Sequence, residues 1–227
     1  GGILFTDHPD VATISAIATA HRKFGTTGLL PTLISTDWES MTAAAAAVQT
    51  ARKQGLAGLL GLHFEGPYLN PERKGAHDGA QIRPLDNTAL DLFASADLGS
   101  VVVTLAPEMV PPGTIRRLAD AGVRICAGHS AASHDQITAA LDEGLAGFTH
   151  LFNAMPAMAS RQPGIVGAAL ADRNSYCGII ADGHHVHPTT LRVALAAKTA
   201  GRMLLVTDAM PSVGGSGDSF QLAGRTV

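Results

Sequence analysis

Residues 61–77 read Gly-Leu-His-Phe-Glu-Gly-Pro-Tyr-Leu-Asn-Pro-Glu-Arg-Lys-Gly-Ala-His, and here a predicted buried strand meets a predicted functional loop. The largely apolar run 59–64 is typical of a buried strand, and Gly66 and Pro67 end it. The run delivers a carboxylate, Glu65, at its end. Because carboxylates are almost never fully buried without a partner, we expect Glu65 to meet a cation, a metal or a substrate hydroxyl. The alternative is a strand-end glutamate in solvent.

Apolar runs of the same kind recur along the chain and alternate with helix signals or loops. We predict strands at residues 28–35, 58–64, 101–105, 123–127, 146–149, 176–181 and 203–206. This alternation is typical of parallel strands joined by helical crossovers. The sequence has no Gly-x-Gly-x-x-Gly after an early strand and no Walker loop, so an open doubly wound nucleotide-binding sheet is disfavoured. We therefore expect an α/β fold, an incomplete (β/α)8 TIM-type barrel, with residues 1–227 in a single domain.

Cap and breaker residues predict where the helices begin. We interpret residues 36–39 and 133–136 as capping boxes, Asn87 as a helix cap and Pro188 as a first-turn residue. Residues 155–167 are rich in Met, Pro and Gly and are predicted to be irregular.

Two further stretches are predicted to be loops. Residues 211–218 are rich in Gly and Ser. Residues 68–84 form a connection of about twenty residues with no clear helix or strand signal, and loops of that length in compact domains are usually functional. The second loop is therefore a candidate cover for a substrate.

Composition excludes several classes of partner. The 227 residues are 46% hydrophobic and 15% charged, with a formal net charge of only -3, so nucleic acid and anionic membrane surfaces are not expected partners. No apolar run reaches the roughly 18 residues of a membrane span, and the first residues do not resemble a signal peptide, so a cytoplasmic location is expected. Cys126 and Cys177 lie in apolar runs, which favours two buried free thiols over a disulfide or a metal pair.

Three residues of metal-ligand type end three separate predicted strands: Glu65, His129 and His150. In a parallel barrel the carboxyl ends of all strands lie on one face, where the chemistry of such folds is found. Two histidines and a carboxylate form the ligand set of catalytic zinc hydrolases, in which zinc activates water and polarises a carbonyl. Asp208, at the last strand end, could supply the base. The alternative is that strand-end histidines only hydrogen-bond to loops.

A set of short motifs also carries a resemblance. They are His-Phe-Glu-Gly-Pro at 63–67, Lys-Gly-Ala-His at 74–77, Gly-His-Ser at 128–130, Thr-His-Leu-Phe-Asn-Ala-Met at 149–155, Arg-x-Pro-Gly at 161–164, Asp-Gly-x-His-Val at 182–186 and Thr-Asp-Ala at 207–209. In this order and at these separations, the sequence resembles the N-acetylglucosamine-6-phosphate deacetylase family of the amidohydrolase superfamily. The motifs span nearly the whole chain.

The resemblance implies a function and a set of roles. It implies hydrolysis of N-acetylglucosamine 6-phosphate to glucosamine 6-phosphate and acetate in amino-sugar catabolism, with one divalent metal ion on the three ligands. We expect zinc, with iron, cobalt or manganese as alternatives. The implied general base, and then acid, is Asp208. The resemblance further implies that His77 and His185 contact the substrate and that Asn153 and Ala154 make polar contacts near its phosphate. It also implies that Arg161 binds the phosphate from the neighbouring subunit of a homodimer.

The ends of the chain depart from the family pattern. Family members begin with part of a small β-sandwich and a first strand carrying a His-x-His or similar motif, whereas this sequence opens Gly-Gly-Ile-Leu-Phe and stops at Val227. We therefore expect a fragment without the first strand, the last helix and the accessory sandwich. Two alternatives stay open, namely an amidohydrolase acting on N-acyl amino acids or cyclic amides, and a non-catalytic metal-binding scaffold.

Overall fold

A sheet of seven parallel strands organises the protein. The computed structural model describes residues 2–215, 219–222 and 225–226, so residues 216–218 of the predicted final loop lie outside the described part. The strands are β1 (Thr32–Ile34), β2 (Gly61–Glu65), β3 (Ser100–Leu105), β4 (Arg124–Ala127), β5 (Gly147–Phe148), β6 (Tyr176–Ile179) and β7 (Met203–Leu205). Each strand pairs in parallel with the next along the chain, and the sheet curls into part of a barrel. The prediction of an incomplete α/β barrel is confirmed.

The first strand is shorter than the run that predicted it. Of residues 28–35, only Thr32–Ile34 form a continuous strand, and Leu29 pairs with Leu59 as an isolated bridge. Pro31 lies between the two segments, and its missing N–H interrupts the ladder of hydrogen bonds. A second sheet, an antiparallel pair of β8 (Gln221–Leu222) and β9 (Arg225–Thr226), follows β7.

Seven helices connect and cover the strands in the described part of the chain. They are α1 (Val11–Arg22), α2 (Trp38–Lys53), α3 (Asn87–Phe93), α4 (Thr114–Asp120), α5 (His134–Asp142), α6 (Gly164–Ala171) and α7 (Pro188–Ala197). The capping box at Ser133 is confirmed, because its Oγ accepts from the N–H of Gln136 and its own N–H donates to the Gln136 side chain. Pro188 is in the first turn of α7, also as predicted.

Two predicted caps are wrong by one residue. Asp37, not Thr36, precedes α2, and its carboxylate accepts from the N–H of Ser40 at 2.7 Å. Likewise Asp86, not Asn87, caps α3 by accepting from the N–H of Ala89 at 2.9 Å. In both places a carboxylate at the cap reaches the free N–H of the first turn and complements the positive end of the helix.

The prediction that residues 155–167 are wholly irregular is wrong at the end of that stretch. Helix α6 begins at Gly164, and its residues 165–170 are all buried. A helix that is buried on every side shows no alternation of polar and apolar residues, so its period is invisible in the sequence.

Aromatic packing holds the carboxyl end of β2 in place. The rings of Phe64 and Phe93 have centroids 4.8 Å apart, and Tyr68 packs its edge on Phe93 at 6.0 Å. Phe64 and Phe93 are almost completely buried. Since Phe64 directly precedes Glu65, this cluster fixes the position from which the carboxylate leaves the strand.

Both cysteines are free thiols, as predicted. Cys177 is buried, and burial raises the pKa of its thiol to about 11. Cys126 is only half-buried because it lines the cavity inside the curled sheet, although the surrounding protein still raises its pKa to about 12. In the described part of the chain, no helix combines the length and apolar character that crossing a membrane requires.

Candidate metal centre

The side chains of Glu65, His129 and His150 meet at the carboxyl edge of the sheet. Glu65 ends β2, and each histidine lies two residues beyond the end of a strand, His129 after β4 and His150 after β5. Oε1 of Glu65 is 3.2 Å from Nε2 of His129 and 3.1 Å from Nε2 of His150, and the two Nε2 atoms are 3.0 Å apart. All three residues are buried, so the alternative of a solvent-exposed Glu65 is wrong.

This donor set fits a metal ion. Ligand atoms about 2.0–2.1 Å from a tetrahedral zinc lie about 3.3 Å from each other, close to the three separations observed. Among the described residues, it is also the one group of three or more histidine, cysteine or carboxylate side chains whose ligand atoms all lie within 4.8 Å of one another. The three residues therefore have the chemistry and the spacing of a His2Glu metal site.

Hydrogen bonding prepares His129 as a ligand. Its Nδ1 lies 2.9 Å from the carbonyl oxygen of Arg73, which can only accept, so the ring proton of a neutral His129 is on Nδ1 and the Nε2 lone pair points at Glu65. Burial would raise the pKa of Glu65, but its contacts with the two imidazoles, His129 and His150, outweigh burial and hold that pKa well below its usual range. An ionised carboxylate and a nitrogen lone pair thus face the same point, which suits a cation.

His150 is held differently. Burial would lower its pKa, but the hydrogen bond to Glu65 and the charge of that carboxylate outweigh burial and raise it. Its Nδ1 is buried and, within the described structure, has no hydrogen-bond partner. The structure therefore orients His150 through Nε2, the nitrogen that faces Glu65 and His129.

Left-handed backbone conformations occur at three of the strand ends. His129, His150 and Asp208 have φ angles of 49°, 32° and 45°, a region that non-glycine residues seldom adopt. Strain of this kind persists only where the surrounding structure enforces it, and it clusters at functional sites. The conformations support a functional role for this edge of the sheet.

Asp208 faces the same space. It follows β7 and, with Glu65 and His150, lines a cavity of about 1240 Å³ inside the curled sheet. Its side chain is open to solvent through that cavity, yet the protein atoms around the carboxylate raise its pKa, and the charge of Glu65 raises it further. A carboxylate with a raised pKa is a better proton acceptor than an ordinary aspartate.

His77 is brought against the metal ligands by the long loop that follows β2. Its ring packs edge-on against His129, with centroids 4.5 Å apart. The N–H of Ser35 donates to Nδ1 of His77 at 3.1 Å, which places the proton of the neutral ring on Nε2. Burial lowers the pKa of His77 to about 4, so the ring is neutral at pH 7. Ser35, the hydrogen-bond partner of His77, also packs closely against Gly66, where a Cβ would come within 2.4 Å of Ser35 Oγ.

The other four predicted contact residues follow β5 and β6 in the chain, and none of them is among the residues that line the cavity shared by Asp208, Glu65 and His150. Asn153 donates from Nδ2 and from its backbone N–H to the carbonyl oxygen of His150, at 3.3 and 3.0 Å. Ala154 is next to it, half-buried, with a φ of 53°. His185 is exposed, and its Nδ1 is 2.7 Å from the Asp182 carboxylate. Arg161 is exposed on the loop that precedes α6.

Several residues beside the site were not predicted. Asp182 orients His185 and also accepts from the N–H groups of His184 and His185, and these bonds lower the pKa of Asp182. Its position three residues before His185 could have predicted this contact, because aspartate side chains often accept hydrogen bonds from residues two or three positions later. Ser35 and the backbone of Arg73 gave no such signal, because their partners are far away in the sequence.

A chain of hydrogen-bonded polar residues inside the barrel, one buried and three half-buried, was also missed. His63 contacts Thr32 Oγ1 through Nδ1 at 3.0 Å and Thr104 Oγ1 through Nε2 at 2.8 Å. Thr104 in turn contacts Thr149, directly before His150, at 2.7 Å. Burial lowers the pKa of His63. This chain links strands β1, β2 and β3 to the segment that carries the His150 ligand.

A curled parallel α/β sheet with two histidines and a glutamate at its carboxyl edge defines the class: an incomplete α/β barrel with a candidate His2Glu metal site. Comparisons with known proteins give the particular relatives. N-Acetylgalactosamine-6-phosphate deacetylase from Shewanella sp. (strain ANA-3) is 45% identical over 221 residues, which are 97% of this chain and 56% of that protein. By sequence, the chain is thus a homologue of the N-acetylhexosamine-6-phosphate deacetylases over nearly its whole length. No protein-family model matches the sequence.

Solved structures agree in fold. N-Acetylglucosamine-6-phosphate deacetylase from Pasteurella multocida superposes with a TM-score of 0.93 at 35% identity, covering 100% of this chain and 59% of that one. A variant of the Mycobacterium smegmatis enzyme in complex with N-acetyl-D-glucosamine-6-phosphate has a TM-score of 0.83 at 32% identity, covering 95% and 56%. The chain therefore spans somewhat more than half the length of the relatives it matches.

Proposed function

We propose that this protein hydrolyses the acetamide of an N-acetylhexosamine 6-phosphate to the amino-sugar phosphate and acetate, in cytoplasmic amino-sugar catabolism. The observation that carries the proposal is the convergence of Glu65, His129 and His150 within 3.0–3.2 Å of one another at the barrel edge. The names of the relatives support the substrate class. The names of the relatives do not support the two alternative functions, namely hydrolysis of N-acyl amino acids or cyclic amides and a metal-binding scaffold without catalysis.

Glu65, His129 and His150 would hold one divalent ion, with zinc expected and iron, cobalt or manganese as alternatives. When bound, such an ion supplies a Lewis acid that polarises the acetamide carbonyl and makes water a better nucleophile. The carbonyl of Arg73 keeps the His129 proton on Nδ1 and so keeps Nε2 available. The ionised state of Glu65 supplies one negative charge to balance the cation.

Asp208 would move the proton. Its carboxylate takes a proton from the attacking water as the new C–O bond forms, and returns it to the nitrogen as the C–N bond breaks, so the amine leaves in neutral form. The position of Asp208 on the shared cavity and its raised pKa support this role.

His77 and His185 would contact the substrate. The neutral His77 ring offers an Nε2–H donor, which can donate a hydrogen bond to a carbonyl or hydroxyl oxygen of the substrate. A neutral donor suits this buried position better than a protonated, positively charged imidazole. His185 is oriented by Asp182 through Nδ1, which directs the opposite nitrogen away from that carboxylate. Both rings thus have one nitrogen fixed by the protein.

The phosphate would be bound by Asn153, Ala154 and Arg161. The net charge of -3 gives no general attraction for an anion, so a local donor set is needed, and a guanidinium matches phosphate oxygens in a bidentate way. Arg161 is exposed on its loop, which is compatible with its reaching the site of a second copy in a homodimer.

The deciding experiment is a deacetylation assay of the purified protein, with metal content measured on the same sample. N-Acetylglucosamine 6-phosphate and its galactosamine epimer are compared, because the relatives include deacetylases named for each. We expect release of acetate from at least one, at a metal content near one per chain. Metal at that content without release of acetate from either epimer would refute the deacetylase and leave the metal-binding scaffold.

A further inference from the structure

We infer that Glu108 is a positioning residue for the His129 ligand. Glu108 lies in the short turn Pro107–Met109 that follows β3, and it is half-buried. Its carboxylate accepts three hydrogen bonds: from Asn70 Nδ2 at 3.0 Å, from Ser130 Oγ at 2.7 Å and from the N–H of Ala131 at 2.6 Å. One side chain therefore joins the loops that follow β2, β3 and β4.

The Asn70 branch leads directly to the imidazole of His129. The backbone N–H of Asn70 donates to the carbonyl oxygen of His129 at 3.0 Å, and the Asn70 carbonyl accepts from the N–H of Arg73 at 2.9 Å. Arg73 then accepts from Nδ1 of His129 at 2.9 Å. The turn from Asn70 to Arg73 thus holds His129 at its backbone and at its ring, and Glu108 holds Asn70.

The other two bonds fix the chain on the far side of His129. Ser130 is completely buried, and besides donating to Glu108 its Oγ accepts from the N–H of Ala132 at 3.1 Å. His129 itself has a φ of 49°, so its conformation has to be enforced by its neighbours. A carboxylate is suited to this task, because hydrogen bonds to an ionised acceptor are roughly twice as strong as neutral ones.

The consequence is a specific function for Glu108. By tying Asn70, Ser130 and Ala131 together, it sets the direction of Nε2 of His129 toward Glu65 and His150. Partners behind a metal ligand typically account for about 10- to 100-fold in metal affinity. The inference rests on the proposed metal site, since without a metal the direction of Nε2 has no function.

The test is cobalt binding by Glu108→Gln. Cobalt(II) is titrated into the metal-free protein and followed by its visible absorption, which reports both affinity and coordination geometry. A glutamine has one oxygen that accepts and one nitrogen that donates, so it cannot accept from all three donors. We expect at least about tenfold weaker cobalt binding and an altered spectrum.

Glu143→Gln is the matched control. Glu143 also accepts a loop N–H, that of Gly113 at 2.7 Å, and it is half-buried like Glu108. We expect its cobalt affinity to stay within about twofold of the wild type. Thermal unfolding of the metal-free proteins separates general loss of stability from loss of the ligand geometry.

The outcomes are distinct. If Glu108→Gln binds cobalt like the wild type, or if both glutamine variants lose affinity equally, Glu108 has no positioning role. If the wild type binds no cobalt, the proposed metal site itself fails and the inference fails with it. Should Glu108→Gln not fold, Asn70→Ala decides, since it removes a single donor to Glu108 and must weaken cobalt binding in the same way.

Discussion

Nε2 of His129 and Nε2 of His150 face each other at 3.0 Å, and Oε1 of Glu65 lies against both. A neutral His129 has its proton on Nδ1, so it brings only a lone pair to this contact. A cation between these atoms would satisfy all three at once. This relationship links the local structure of three strand ends to the chemistry proposed for the protein.

The first prediction concerns the metal ligands. His129→Ala removes one of three ligands and leaves Glu65 and His150 as an incomplete pair, so stoichiometric metal should fall to background in a chain that still folds. Elemental analysis after removal of free metal measures this. His134→Ala, at a half-buried histidine at the start of α5 that is not one of the three ligands, is the control and should retain metal. Stoichiometric metal in His129→Ala would place the ion elsewhere.

The second prediction concerns the base. Asp208→Asn keeps the size of the side chain but cannot take a proton, so it should retain metal and lose about 10²- to 10⁴-fold in kcat. Metal content and steady-state deacetylation are measured on the same sample. Asp135→Asn, at an exposed carboxylate on α5, should behave as the wild type. Near-normal turnover in Asp208→Asn would move the role to another group, with His185 the next candidate.

The third prediction concerns phosphate recognition. Arg161→Ala should raise KM strongly for N-acetylglucosamine 6-phosphate and leave the slow reaction with unphosphorylated N-acetylglucosamine nearly unchanged, because the guanidinium is proposed to contact only the phosphate. Arg173→Ala, another exposed arginine, is the matched control. Equal losses on both substrates would assign Arg161 to the loop structure instead.

The fourth prediction concerns stability away from the site. Lys198 is buried, and its Nζ donates to the carbonyls of Ala169 and Asp172 and to Ser175 Oγ at 2.6–3.2 Å. Lys198→Met removes the ammonium donor from all three acceptors, which should lower the free energy of unfolding by about 2–4 kcal/mol. Chemical denaturation measures it, with the exposed Lys53→Met as control. A change below about 0.5 kcal/mol would show that solvent replaces the ammonium group.

Local sequence patterns sufficed for much of the fold. Seven apolar runs predicted seven parallel strands in the order observed, because a buried strand needs only a short apolar stretch between breakers. The sequence also predicted which residues lie together at the strand ends, because parallel strands bring all their carboxyl ends to one edge. The Ser133 cap was predicted correctly, whereas those at Asp37 and Asp86 were missed by one residue. Helix α6 was missed because a helix buried on all sides has no visible period.

Only the tertiary structure decided how the ligands are held. Glu108 meets Asn70 across 38 residues of sequence, and His129 meets Arg73 across 56. Such hydrogen bonds depend on which loops the curled sheet places side by side, and no periodicity or local spacing encodes them. The sequence by itself therefore determined which residues reach the edge of the barrel. The packing of the loops determined which nitrogen of His129 faces Glu65, because that direction is set by partners distant in the chain.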